Sequence, residues 1–131
     1  MNQNQQIILA GFQSWTDGTG SFFDLLSEDV EWTISGSSPL SKIYKSKKAL
    51  LDEVIDPLNE RLSQKIVPHV RESYADGEVV IVIWDGNATA KDGQSYNVSY
   101  AWFMTMKEGK IVKVTAFLDT LDFADIFKRI K

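Results

Sequence analysis

Through the second half of the chain, apolar and polar residues alternate in four runs, Ile66–Tyr74, Glu78–Ala90, Ser95–Met106 and Lys110–Asp119. A period of two residues marks strands that bury one face. The runs are separated by Asp76-Gly77, Asp92-Gly93 and Glu108-Gly109, corners that suit tight hairpins because glycine takes φ > 0 at no steric cost. The pattern predicts a meander of antiparallel strands whose last member ends at Phe117-Leu118-Asp119-Thr120.

The first half has a helical period. Ile8, Phe12 and Trp15 recur along one face from about Gln5 to Thr16, and the pattern stops at Asp17-Gly18-Thr19-Gly20. Ser21 can cap a short second helix carrying Phe22, Leu25 and Leu26, after which Val30, Trp32 and Ile34 alternate as a strand. The loop Gly36-Ser37-Ser38-Pro39 breaks regular structure. A third helix is expected from near Ser46, with Leu51, Val54, Ile55, Leu58 and Leu62 on one face. Pro57 should kink or break it, because proline lacks an N–H and clashes with the preceding turn. A last helix is expected from about Leu121 to Ile130. The order is that of an α+β fold, with helices grouped on one face of a curved, mainly antiparallel sheet.

Composition narrows the function. With 131 residues, 44% of them hydrophobic, the chain is read as one domain over residues 1–131 with a sizeable core. A net charge of -4 and scattered lysines and arginines give no basic stripe, which argues against nucleic acid and anionic membranes as partners. The strongest apolar run, Val79–Trp84, is far too short to span a bilayer, and the first residues carry no positive charge of the kind that opens a signal peptide. The absence of cysteine removes disulfides, thiolate nucleophiles and thiolate zinc sites, and fits a reducing cytoplasm. His69 is the single histidine, so neither a histidine-based metal site nor a Ser-His-Asp triad with alternative members is expected. The triplets Asn87-Ala88-Thr89 and Asn97-Val98-Ser99 fall within or beside strands and are read as structure rather than glycosylation signals.

The element order, Val30-Glu31-Trp32 with its Gly36 and Pro39 loop, the Gly109-Lys110-Ile111 hairpin and the Phe117-x-Asp119 ending resemble the SnoaL-like branch of the nuclear-transport-factor-two-like superfamily. The resemblance covers nearly the whole chain. It implies a cone-like fold enclosing a deep apolar pocket between sheet and helices, and dimers formed through the outer sheet surface. It does not imply one activity, since the superfamily holds cyclases, isomerases, hydrolases, dehydratases and proteins with no chemistry. For Asp119 it implies the acid/base role that SnoaL-like cyclases give to a late aspartate, although Phe117 stands where that family often has a tyrosine. Ketosteroid isomerase chemistry is not expected, because no tyrosine precedes Tyr44 and Thr33 falls about where the base would be. The related epoxide hydrolases place an arginine between carboxylates, and none of Arg61, Arg71 and Arg129 forms such an Arg-x-Asp strand motif.

Strand alternation places Asp119 with Phe117 and Thr115; Phe117 is expected to face the core and join the pocket lining, which would leave the carboxylate partly desolvated and suited to proton transfer. The alternative is a helix cap shared with Thr120. His69 either shuttles a proton or lies on the outer sheet surface. Tyr100 and Trp102 share one strand face and, with Tyr44, either hold a substrate oxygen or pack with a polar tip toward water. Trp15, Phe22, Leu26, Trp32 and Leu40 are the expected pocket lining, whose aromatic content favours a flat, apolar ligand. Lys45, Lys47 and Lys48 read as a solvated helix start. Two functions follow: a proton-transfer enzyme without cofactor or metal, using Asp119, Tyr100 and His69 on a small hydrophobic carbonyl compound, or a binding or dimerisation module without chemistry.

Overall fold

In the computed structural model, which describes residues 2–131, a six-stranded sheet in the order β2-β1-β6-β5-β4-β3 curves around four helices. Helix α1 runs Gln3–Asp17; the Asn2 side chain accepts its early Gln5 N–H, and Gly18, at φ 71°, ends it in the left-handed conformation that glycine takes freely. Ser21 caps as expected, but the segment it starts is one 3-10 turn, Phe22–Leu25, and Leu26 already opens strand β1, Leu26–Ile34. A two-residue strand, β2 (Ile43–Tyr44), pairs with β1 and left no periodic trace in the sequence.

The expected third helix forms without a break. Ser46 caps α2 (Lys47–Leu50), the chain passes through a π turn at Leu51–Ile55, and α3 (Asp56–Glu60) follows directly. The Asp56 N–H reaches back five residues to the Leu51 carbonyl. This wider turn answers Pro57, which has no N–H for the carbonyl four residues before it and would collide with that carbonyl in a regular helix. Arg61 then ties α3 to the end of the chain, donating to the Pro57 carbonyl at 2.7 Å and to the Ile130 carbonyl at 2.6 Å.

Strands β3 (Leu62–Asp76), β4 (Val79–Ala90), β5 (Ser95–Lys107) and β6 (Lys110–Leu118) form the expected meander. At the last corner both Glu108 (φ 51°) and Gly109 (φ 79°) have positive φ, as the favoured two-residue hairpin turn requires. The β1–β6 pair is parallel and closes the sheet's other half. Val80, Val82 and Trp84 on β4 and Val98, Tyr100 and Trp102 on β5 turn inward to the helices. On β6 the phase differs from the expectation. A bulge near Val112, where the register with β5 shifts, makes Val114 and Ala116 the buried positions and puts Phe117 outside, 49% exposed and edge-on to Phe103. Helix α4 (Thr120–Arg129) packs Phe123 and Ile126 inward. Asn87 and Asn97 pair across β4 and β5, the amide of Asn87 donating to Asn97 at 2.9 Å. Among the described residues, no helix is long and apolar enough to cross a membrane.

Candidate functional site: an aromatic cavity between sheet and helices

Between the inner sheet face and the helices lies a cavity of about 470 Å³. Trp32, Ile34, Trp84, Tyr100, Trp102 and Ala116 form its sheet wall. Leu50, Leu51, Val54, Ile55 and Leu58, along α2, the π turn and α3, face them, and Trp15, Phe22 and Phe23 close the end near α1. Leu118 and Phe123 complete it at the start of α4. All four tryptophans of the chain are therefore on its wall.

The rings interlock. Trp102 meets Trp32 and Trp84 edge to face at 4.9 and 4.8 Å, while Trp84 stacks on its cross-strand neighbour Tyr100 at 4.1 Å with the rings 7° from parallel. Gly86 makes room for that stack. A Cβ there would come to 3.0 Å from Ile66 Cγ2, 3.1 Å from the Trp84 ring and 3.2 Å from the Tyr100 ring. The Trp84 Nε1–H is buried without a hydrogen-bond partner among the described residues, a donor that folding has already stripped of water.

Ionisable groups stand at the mouth and not on the inner wall. Asp24, Lys47, Asp56 and Lys65 line the opening with Ser21 and Asn59. The polar groups deep inside are phenols and indoles. Burial pushes the Tyr100 phenol up to about 12, a rise that the neighbouring Tyr96 hydroxyl partly offsets. Tyr96 is raised still further, by burial first and then by Tyr100, Asp122 and Asp119. Both phenols stay protonated in the folded protein, whereas the unfolded chain ionises near pH 10. Their contribution is complete below pH 10 and is lost as the pH rises toward 12. Stability should fall by about 3 kcal/mol over that interval from Tyr100 alone, read from urea midpoints at stepped pH. Midpoints that hold constant from pH 10 to 12 would contradict the burial of these phenols.

Several expected site residues are elsewhere. Asp119 is the N-cap of α4; its carboxylate is exposed and accepts the Leu121 N–H at 3.1 Å. It does not line the cavity, because the phase change in β6 turns Ala116 and Leu118 inward in place of Phe117 and Asp119. Phe117 is likewise outside, so its expected place in the lining is corrected. His69 is exposed on the outer sheet face, where it borders a separate polar depression with Asp85, Asn97 and Ser99, on the side of the sheet opposite Tyr100. Tyr44 is buried and donates to the Leu40 carbonyl at 2.6 Å, and burial, then Glu53, raises its phenol. Leu26 is core, Leu40 packs against the core, and neither reaches the cavity. Trp15, Phe22, Trp32, Trp102 and Tyr100 are brought together as expected. Trp84 was overlooked, although its alternation with Val80 and Val82 marks the same face. Among the described residues no three His, Asp or Glu side chains are grouped to hold a metal ion.

A profile of the SnoaL-like domain matches residues 12–114. The chain belongs to the SnoaL-like family. No curated protein sequence matches it. Among solved structures, a nuclear-transport-factor-two-like protein of Burkholderia thailandensis is 22% identical, with TM-score 0.77 over 96% of this chain and 98% of that one. The protein TerC, crystallised with polyporic acid, is 20% identical, with TM-score 0.76 over 97% and 99%. A Jannaschia protein assigned as a SnoaL-like polyketide cyclase is 14% identical, with TM-score 0.70 over 98% and 94%. At these identities the likeness establishes the shared cone-like fold.

In this SnoaL-like chain, the aspartate at the end of β6 is held as a helix cap. Asp119→Asn should leave stability within a few tenths of a kcal/mol, and Asp119→Ala should cost about 1 kcal/mol. Ligand affinity should be the same in both, measured by calorimetry beside thermal unfolding. A large loss of affinity in the stable Asn variant would return Asp119 to the site.

Proposed function

We propose that this SnoaL-like protein binds a flat hydrophobic small molecule, with a carbonyl-type oxygen accepted by the Tyr100 hydroxyl. The observation that carries the reading is the cavity itself: about 470 Å³, walled by indoles, phenyl rings and branched aliphatic side chains, with charge confined to the mouth. Such a space suits a ligand that leaves water for aromatic walls and keeps one or two directed polar contacts. Tyr100 is suited to donate because its phenol holds its proton up to about pH 12. TerC, which shares this fold, was crystallised with polyporic acid.

Proton transfer on such a carbonyl compound has less support. A protonated phenol can stabilise an oxygen that gains charge, but a base must also reach the substrate. Asp119 and His69 lie off the cavity, and the carboxylates nearest to it, Asp24 and Asp56, are exposed at its mouth. Binding without turnover is the function the geometry favours.

Tryptophan emission tests the reading, since every tryptophan lies on the wall. Titration with acetonaphthone should give a saturable change, and Tyr100→Phe should weaken the ketone by about five- to tenfold while leaving ethylnaphthalene unaffected. Absence of a saturable change with both compounds would reject the reading.

A second copy of the chain is the partner that fits the outer sheet face. Val67, Tyr74, Phe103 and Phe117 are exposed there, on the face opposite the one that Trp84, Tyr100 and Trp102 turn to the helices. Light scattering should give twice the 14.8 kDa of the chain at micromolar concentration. A monomer mass would contradict the pairing.

A further inference from the structure

Gly86 stands behind the cavity wall, and three of the wall's side chains close around the place where its own would be. It lies within β4, opposite Pro68 of β3 and Val98 of β5, and its φ is not positive. The backbone there would accept any residue, so what calls for glycine is space. A Cβ at this position would meet Ile66 Cγ2, Trp84 Cζ3 and Tyr100 Cε1 at 3.0, 3.1 and 3.2 Å, inside the separation of about 3.5–4.0 Å at which carbon atoms attract. Tyr100 pairs with Trp84 across the sheet, which puts Gly86 at the diagonal position that the Tyr100 ring leans over. Which neighbour would yield follows from how each is held. Trp84 is 1% exposed and is packed by Phe12, Trp15 and Trp102 at 5.4, 5.2 and 4.8 Å. Tyr100 meets Trp84 and Trp102 and then borders the open space of the cavity, as does the half-buried Ile66. Crowding at position 86 would therefore pass to Tyr100 and Ile66.

We infer that Gly86 is a positioning residue for the Tyr100 hydroxyl: by leaving room for the Tyr100 ring to lie flat on Trp84, it fixes where that donor stands in the cavity. It thereby sets the preference for ligands that carry an acceptor oxygen over hydrocarbons of the same shape. The inference rests on the Tyr100 contact proposed above and adds the residue that holds it in place. The two displacements differ in what they change. Moving Ile66 alters the volume of the cavity, which ligands of one shape feel alike. Moving the Tyr100 ring alters the length and angle of a hydrogen bond, which only a ligand with an acceptor feels.

The ratio of acetonaphthone affinity to ethylnaphthalene affinity, measured by calorimetry, separates these effects. It should fall about three- to fivefold in Gly86→Ala. In the Tyr100→Phe background, where no hydroxyl remains to be positioned, adding Gly86→Ala should lower the ratio no further. A ratio unchanged by Gly86→Ala but lowered by Tyr100→Phe overturns the role of Gly86 and leaves the Tyr100 contact standing. An equal fall from Gly86→Ala with and without the Tyr100 hydroxyl means that the glycine acts on the cavity by another route, and overturns the inference as well. A ratio that Tyr100→Phe does not lower overturns the contact itself, and this inference with it. The pair Ile66→Ala and Ile66→Ala/Gly86→Ala repeats the comparison with the tightest neighbour removed, and it decides the matter where the single variant does not fold. The ratio should again be lower with alanine at position 86; equal ratios in that pair overturn the inference.

Discussion

Trp102→Ala is expected to remove about 3–5 kcal/mol of stability, the range for deleting a large aromatic side chain from a core. Trp102 is 4% exposed on β5, in the interior of the sheet, and its ring lies within 6.4 Å, centroid to centroid, of Phe12, Phe22, Phe23, Trp32, Trp84 and Tyr100. Removing it cuts six ring contacts and opens the vacated space onto an existing cavity, so neighbouring side chains have little to collapse against. A loss of that size is a large fraction of the stability of an ordinary domain. Urea unfolding should show the midpoint falling with its slope unchanged. A loss under about 1 kcal/mol would mean that the ring cluster is looser than the structure shows.

Ala116→Phe should have the opposite balance, with little change in stability and loss of binding. Ala116 is 2% exposed on β6, and its side chain is the smallest on the cavity wall. A benzyl group added to a filled core would cost about 1–3 kcal/mol in strain. Here it can enter empty apolar space and gain contacts, so the two effects nearly cancel. The same ring would occupy the volume that a planar ligand needs, and affinity for acetonaphthone should fall by at least about 100-fold. Unchanged affinity in a folded variant would place the ligand somewhere other than this cavity.

Element order was legible because the hairpin corners carry glycine and the strands keep a strict alternation, so Gly77 and Gly109 fall at the turns and Trp84, Tyr100 and Trp102 fall on one face. The site was less legible, for three local reasons. The bulge near Val112 reverses the phase of β6, and a large Phe117 beside a small Ala116 suggests the wrong inward residue to any argument from hydrophobicity alone. That error carried Asp119 with it. The π turn before Pro57 keeps the third helical segment continuous, which turns Leu51, Val54 and Ile55 from ordinary core positions into a cavity wall. No pattern in one sequence distinguishes a filled core from a core with a void, because both need the same apolar residues at the same period. Lys47 shows the same limit at the surface, reading as a solvated helix start until its place at the mouth is seen.

The central claim is that the space between sheet and helices receives a hydrophobic molecule. Intermolecular nuclear Overhauser effects between unlabelled naphthylethanol and isotopically labelled protein test it most directly. Contacts should appear to the methyl groups of Ala116, Val54 and Leu118, which lie on different sides of the cavity. Contacts confined to Val67 on the outer sheet face, or none at saturating probe, would contradict the account.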